Sequence, residues 1–151
     1  ILSVLVFCLF NFRKKAKCFA GDIGSVGIAF ILLFIIGRLI IQTGDFTYIV
    51  FLVVYGVDSV LTIVHRLMLH ENIGLPHRKH LYQIMANEIP HLVVATIYMV
   101  VQGLIIIGFI YFYEYSYYYL AGTIIALSLC YIGFMNKYFY LHQLGVSKNN
   151  I

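Results

Sequence analysis

Four apolar stretches, each near the length a helix needs to cross a bilayer, constrain this chain more than any other feature. They cover residues 26–42, 46–64, 91–113 and 117–136, and a shorter apolar stub occupies 1–12. A helix rises about 1.5 Å per residue, so a hydrocarbon core of about 30 Å takes about 20 residues. Inside that core every backbone amide and carbonyl must be bonded within the protein, which a helix does locally. The connections QTGDF and EYS are short enough only for reversals. The expected fold is therefore all-α: a polytopic transmembrane helix bundle of about four full spans plus an N-terminal stub of a fifth, one transmembrane domain over 1–151. Composition agrees, with 62% hydrophobic and 11% charged residues, against about 25% charged in soluble domains. The chain opens at Ile1 inside an apolar run, without a charged leader. It reads as the later part of a longer membrane protein rather than as a signal peptide.

The cations alternate with the spans. Arg13, Lys14, Lys15 and Lys17 follow the stub; Arg66, Arg78 and Lys79 follow the second span; Lys137 and Lys148 follow the fourth. The turns at Asp45 and Glu114 carry neither Lys nor Arg. By the positive-inside rule the basic connections, 13–25 and 66–90, face the cytoplasm. Arg38 is the exception, near an outer end where a long side chain snorkels. The net charge of +4 is thus topological and implies no nucleic acid. The tyrosines of YFYEYSYYY fall at an outer turn, as in an interfacial aromatic belt. Cys8, Cys18 and Cys130 follow no pairing pattern and read as free thiols.

Three segments carry chemistry. In Gly21-Asp22-Ile23-Gly24-Ser25 a carboxylate sits between glycines at the mouth of the first span. With the span drawn from Val26, Asp22 stays at the wet interface, the glycines allow close approach of a ligand, and Ser25 is a plausible N-cap. A carboxylate beside cations suits a hard divalent ion with phosphate oxygens; the plainer alternative is that Asp22 only caps the helix. Within the second span, Asp58, Thr62 and His65 or Arg66 recur every three or four residues as a polar stripe. It would line a wet interior or serve as a structural hydrogen-bonding seam. In 75–88, Pro76 can start a helix that puts His77 and His80 on one side, with Leu81, Ile84 and Met85 as an apolar patch for membrane or neighbouring helices. Arg78 and Lys79 suit phosphate. A zinc site would need two more ligands of convincing spacing; a solvated basic loop is the plain alternative.

Together these segments resemble the polyprenyl-phosphate N-acetylhexosamine-1-phosphate transferases, the membrane enzymes that include the phospho-N-acetylmuramoyl-pentapeptide transferases. The family has a cytoplasmic motif of Phe, a small residue, then Gly-Asp-x-Gly-Ser at a helix start. Here it stands as Phe19-Ala20-Gly21-Asp22-Ile23-Gly24-Ser25. An Asp within a span, an Arg at its cytoplasmic end and a Pro-x-Arg-x-His loop follow, matched by Asp58, Arg66 and Pro76-His77-Arg78-Lys79-His80. The match covers most of the chain, as the C-terminal half of such an enzyme.

The resemblance implies transfer of an N-acetylhexosamine 1-phosphate from a UDP-sugar to a membrane polyprenyl (undecaprenyl) phosphate, with release of UMP. It implies Mg2+, for which Mn2+ can substitute, held by Asp22. Asp22 and His80 would be catalytic, and Arg78, His77, Gly21, Gly24 and Ser25 would bind substrate. It places the protein in a bacterial inner membrane, active face cytoplasmic, serving cell-envelope polysaccharide synthesis. Partners would be UDP-N-acetylhexosamine, the polyprenyl phosphate, the lipid bilayer and a second copy in a homodimer. The run His80-Leu81-Tyr82-Gln83 departs from the His-x-His-His of many relatives, which favours a UDP-GlcNAc-like substrate. The family's paired aspartates and Asp-Gly loop are not in these 151 residues, so this piece alone is expected to be inactive. Two other classes compete. A transporter would use Asp58 and the histidines as a proton relay and would want polar residues at mid-bilayer in several spans, where the last two offer little, only Gln102, Thr123 and Ser128. A non-catalytic membrane scaffold is the other.

Overall fold

The computed structural model describes residues 2–11, 21–74 and 79–148, with backbone alone for 21–23 and 138–148. Among the described residues all regular structure is helical. Six α-helices follow in order: α1 (Leu2–Asn11), α2 (Gly21–Thr43), α3 (Val53–Met68), α4 (Leu81–Glu88), α5 (His91–Tyr111) and α6 (Ser116–Lys148). Among the described residues four helical stretches are long and apolar enough to cross a membrane: Gly24–Thr43, Phe46–Met68, His91–Tyr111 and Tyr113–Lys137. This is the number and order expected, and α1 is the short stub. The protein is a transmembrane helix bundle. Large apolar side chains stand on its outside, among them Ile41, Leu104, Ile107 and Ile110, because lipid rather than water is their solvent. Cys8 and Cys130 are free thiols; Cys18 lies outside the described residues.

The chain falls into two compact units, Ile1–Ile49 and Val50–Ile151. In the first, α2 is helical across 21–25, so the connection expected over 13–25 is not a loop throughout. Ser25 is therefore inside α2 and is not its N-cap. Glycine costs a helix interior only about 1 kcal/mol, less than leaving backbone groups unbonded at a membrane, so the two glycines do not stop the helix. At its other end α2 closes on Gly44, whose φ of 69° is the left-handed cap that glycine adopts without a Cβ penalty. The Gly44 amide donates to Ile40 O at 2.8 Å. Asp45 then starts the next helical turn: its Oδ1 accepts from the Thr47 amide at 2.8 Å and the Thr47 hydroxyl at 2.7 Å.

The second unit holds α3 to α6. The span that leads into it does not open as an α-helix. Residues Phe46–Leu52 form a 3-10 helix that passes into α3, twice the usual 3–4 residue run. Gln102 of α5 stitches the junction, donating from Nε2 to Val50 O at 2.9 Å and accepting the Val54 amide at 3.3 Å. Those are the two groups a continuous α-helix would bond to each other. α3 packs on α5 and α6, α4 on both of these, and α5 on α6. The α5–α6 pair closes at Gly108, where an added Cβ would collide with the Tyr119 hydroxyl. That hydroxyl donates to Ile105 O at 2.9 Å. Ile84 of α4 is buried with Tyr131 and Met135 of α6, flanked by Leu61, Leu81 and Phe134. The apolar patch of 81–85 thus packs on neighbouring helices.

Candidate functional site

The α3 helix turns polar residues inward. Asp58, Thr62 and Arg66, spaced by four on one face, are 3%, 1% and 3% exposed. In hydrocarbon such a stripe is tolerated only where every group finds a partner, and each does. Asp58 Oδ1 accepts the Leu81 amide at 2.9 Å and the Thr62 hydroxyl at 3.2 Å, and its Oδ2 accepts the Tyr98 hydroxyl at 3.2 Å. A hydroxyl has one proton to give. Thr62 therefore accepts from Tyr131 of α6, 3.1 Å away, while donating to Asp58.

Leu81 is the first residue of α4, where amides lack partners within their own helix and the dipole favours a negative charge. Asp58 thus caps α4 from another helix. Gln83 completes the cap locally, its Oε1 accepting the His80 amide at 3.3 Å. These caps explain a correction: α4 begins at Leu81, so His80 is its N-cap and not a member of a helical pair with His77. The ring is flanked on two sides. His80 Nδ1 is buried and lies 3.8 Å from Asp58 Oδ1, an ion pair when the imidazole is charged. One ring face stacks on Tyr82, with centroids 5.6 Å apart and planes at 21°. Tyr82 meets Tyr98 edge-on at 6.3 Å, and Tyr98 returns to Asp58. Burial, followed by the charges of Tyr55 and Asp58, pushes the Tyr82 phenol up.

Arg66 pins the chain between α3 and α4. α3 ends in a Schellman motif: His70 N–H to Leu67 O and Glu71 N–H to Arg66 O, both 3.0 Å, with His70 left-handed at φ 53°. The turn brings the following residues under the Arg66 guanidinium. It donates to Glu71 Oε2 and Ile73 O, each at 3.3 Å, and to Asn72 O. Glu71 also accepts from Lys79. That hydrogen bond from Lys79 is the main reason the Glu71 carboxyl is held below the ordinary glutamate range; burial opposes it, and Arg66 adds to it. Beside this polar seam lies a mostly apolar cavity of about 250 Å³, with Val54, Asp58, Leu81, Ile97, Tyr98 and Tyr131 among its walls.

The expected site residues are distributed as follows. Gly21, Asp22, Gly24 and Ser25 lie along α2 in the first unit. His80 lies in the second unit, at the end of the bundle that carries the α3–α4 connection. His77 and Arg78 are outside the described residues, as is the cluster Arg13 to Lys17. Among the described side chains no group of three His, Cys, Asp or Glu could hold a metal ion. Mg2+ needs less from protein, since one or two carboxylates with substrate phosphates and water serve it; a single Asp22 fits that donor chemistry. Sequence reasoning missed Tyr98, Tyr131 and Glu71. The tyrosines hide in apolar runs at core spacing, and only a buried acid in search of donors points to them. Two of the polar residues a relay would have used bond elsewhere: Gln102 at the α3 junction, and Thr123 to Tyr119 O.

No protein-family model, no curated protein and no solved structure matches the chain.

Proposed function

We propose that this chain is the C-terminal half of a polyprenyl-phosphate N-acetylhexosamine-1-phosphate transferase, multi-pass in a bacterial inner membrane with its site on the cytoplasmic side. A phosphate oxygen of the polyprenyl phosphate attacks the sugar-bearing phosphorus of UDP-N-acetylglucosamine or a similar UDP-sugar. The new P–O bond joins lipid and sugar phosphate, the diphosphate bond breaks, and UMP leaves. The observation that carries this reading is the polar platform at one end of an otherwise apolar bundle. There Asp58 and Arg66 hold the α3–α4 connection and set His80 at the cap of α4. A soluble diphosphate and a membrane-bound acceptor can meet only at such a boundary.

In this reading Asp22 holds Mg2+, which neutralises diphosphate charge when bound. Gly21 and Gly24 leave room for the diphosphate beside Asp22, and the Ser25 hydroxyl hydrogen-bonds it. Arg78 pairs with phosphate oxygens through its planar fork, His77 serves in substrate binding, and His80 offers a ring nitrogen to phosphate oxygens. Catalysis of this class is mostly positioning and electrostatic stabilisation. The family's paired aspartates belong to the upstream half, so activity is assigned to the longer protein.

The test is Mg2+-dependent UMP release from UDP-GlcNAc by the full-length protein in membranes with undecaprenyl phosphate. Asp22→Asn is expected to lower turnover about 100-fold or more at equal expression, as several kcal/mol of charge stabilisation is lost. Arg78→Ala is expected to raise KM for the nucleotide sugar. Unchanged turnover in Asp22→Asn would remove Asp22 from the metal site, and wild-type kinetics in Arg78→Ala would reduce its loop to packing.

A further inference from the structure

We infer that Asp58 is a positioning residue for His80: its buried carboxylate holds the imidazole with Nδ1 inward and presents Nε2 to the substrate diphosphate. The inference rests on the transferase reading for what Nε2 meets, but the orientation itself comes from the geometry. Capping α4 and satisfying Thr62 would need only an oxygen acceptor, which a neutral amide also supplies. Asp58 does more. His80 Nδ1 is buried and faces Asp58 Oδ1 at 3.8 Å, yet the side chain keeps 21% of its surface exposed. That exposure therefore belongs to other atoms of the ring. The two imidazole nitrogens sit on different edges, so with Nδ1 buried Nε2 is the nitrogen that can reach a ligand.

The anchoring is a closed circuit. The carboxylate faces the buried ring edge at 3.8 Å, an ion-pair distance when the imidazole is charged. Tyr82 fixes the ring plane by stacking at 5.6 Å. Tyr98 supports Tyr82 edge-on at 6.3 Å and donates its hydroxyl to Asp58 Oδ2 at 3.2 Å. A carboxylate at this distance attracts a charged ring edge, which a neutral amide does not. A buried acid that sets the tautomer and angle of a working histidine is a recurrent arrangement in enzymes. This one is built across three helices, with the acid on α3, the histidine at the cap of α4 and the hydroxyl on α5.

The experiment is a double-mutant cycle in the full-length protein, reading UMP release from UDP-GlcNAc. Asp58→Asn keeps the shape and an oxygen acceptor for the Leu81 amide. It is expected to lower kcat on the order of 10- to 100-fold, with KM and membrane abundance near wild type. In a His80→Gln background the same change is expected to add less than about threefold, because the two residues act as one unit. Wild-type kcat in Asp58→Asn, or losses that multiply in the double mutant, would overturn the positioning role. If Asp58→Asn fails to accumulate, Tyr98→Phe replaces it in the cycle; it removes the hydroxyl on Oδ2 and keeps the ring, and the same non-additivity is expected. A second arm does not depend on activity: the rate of His80 modification by diethyl pyrocarbonate, read by mass spectrometry against His91 as internal reference. Asp58→Asn is expected to change the His80 rate about fivefold or more, following loss of ring orientation, and to leave His91 alone; an unchanged ratio overturns the orientation. A wild-type protein with no turnover would overturn the transferase reading instead, and the modification arm then decides the orientation by itself.

Discussion

Gly44 and His70 both hold left-handed backbone, at φ 69° and 53°, and they end α2 and α3 by related caps. Gly44 does so without steric cost, and an added Cβ would meet nothing within 4 Å. Gly44→Ala is therefore expected to destabilise by about 1 kcal/mol through backbone strain alone. His70→Gly is expected to stabilise by a similar amount, since the Schellman cap of α3 favours glycine at that position. Thermal melts of the detergent-solubilised protein check both signs; a neutral Gly44→Ala would mean that the turn relaxes. The first cap was legible, because glycine followed by an acid after an apolar run marks a helix stop and a restart. The second was not, since histidine rarely marks a left-handed turn. Asp58 was legible as a buried acid, but its partners were not. Leu81 and Tyr98 are 23 and 40 residues away, and nothing in local periodicity connects them.

At the scale of elements, the existence and order of the spans followed from apolar length, and their internal irregularities did not. The 3-10 opening of the second span, Phe46–Leu52, has the same apolar composition as an α-helix would. What distinguishes it is Gln102, a lone amide in α5 that looks like an isolated polar residue until Val50 and Val54 are seen against it. Gln102→Leu is expected to lower stability by about 1–2 kcal/mol, the range for buried hydrogen bonds between membrane helices. It is expected to leave UMP release by the folded protein within about twofold, because Gln102 touches no proposed substrate group. A melt unchanged from wild type would show that the junction holds without the amide. The start of α4 was misjudged for a related reason. Pro76 is a good first helical residue, but the position of the cap is decided by Asp58 and Gln83, and the former comes from a different helix.

For the whole molecule, the bilayer sets the architecture and a small polar seam holds the α3–α4 connection. Exposed apolar surface along the spans needs lipid, while α3 turns Asp58, Thr62 and Arg66 inward and ties down the only described connection long enough to carry a site. The span count, the basic connections and the motif residues could be read from residue order. How the connection is held could not, because it depends on contacts between α3, α4, α5 and α6 that form only on packing. Phosphotransfer between a cytosolic nucleotide sugar and a membrane lipid requires the Asp22 segment and the His80 segment to face the same compartment. The direct measurement is labelling of Asp22→Cys and Lys79→Cys, each in a cysteine-free full-length background, with a membrane-impermeant maleimide in intact cells and in inverted vesicles. Both positions are expected to label only in inverted vesicles, as the positive-inside distribution of Lys and Arg requires. Labelling of the two positions from opposite sides of the membrane, or of position 22 from neither side, would contradict the proposed phosphotransfer.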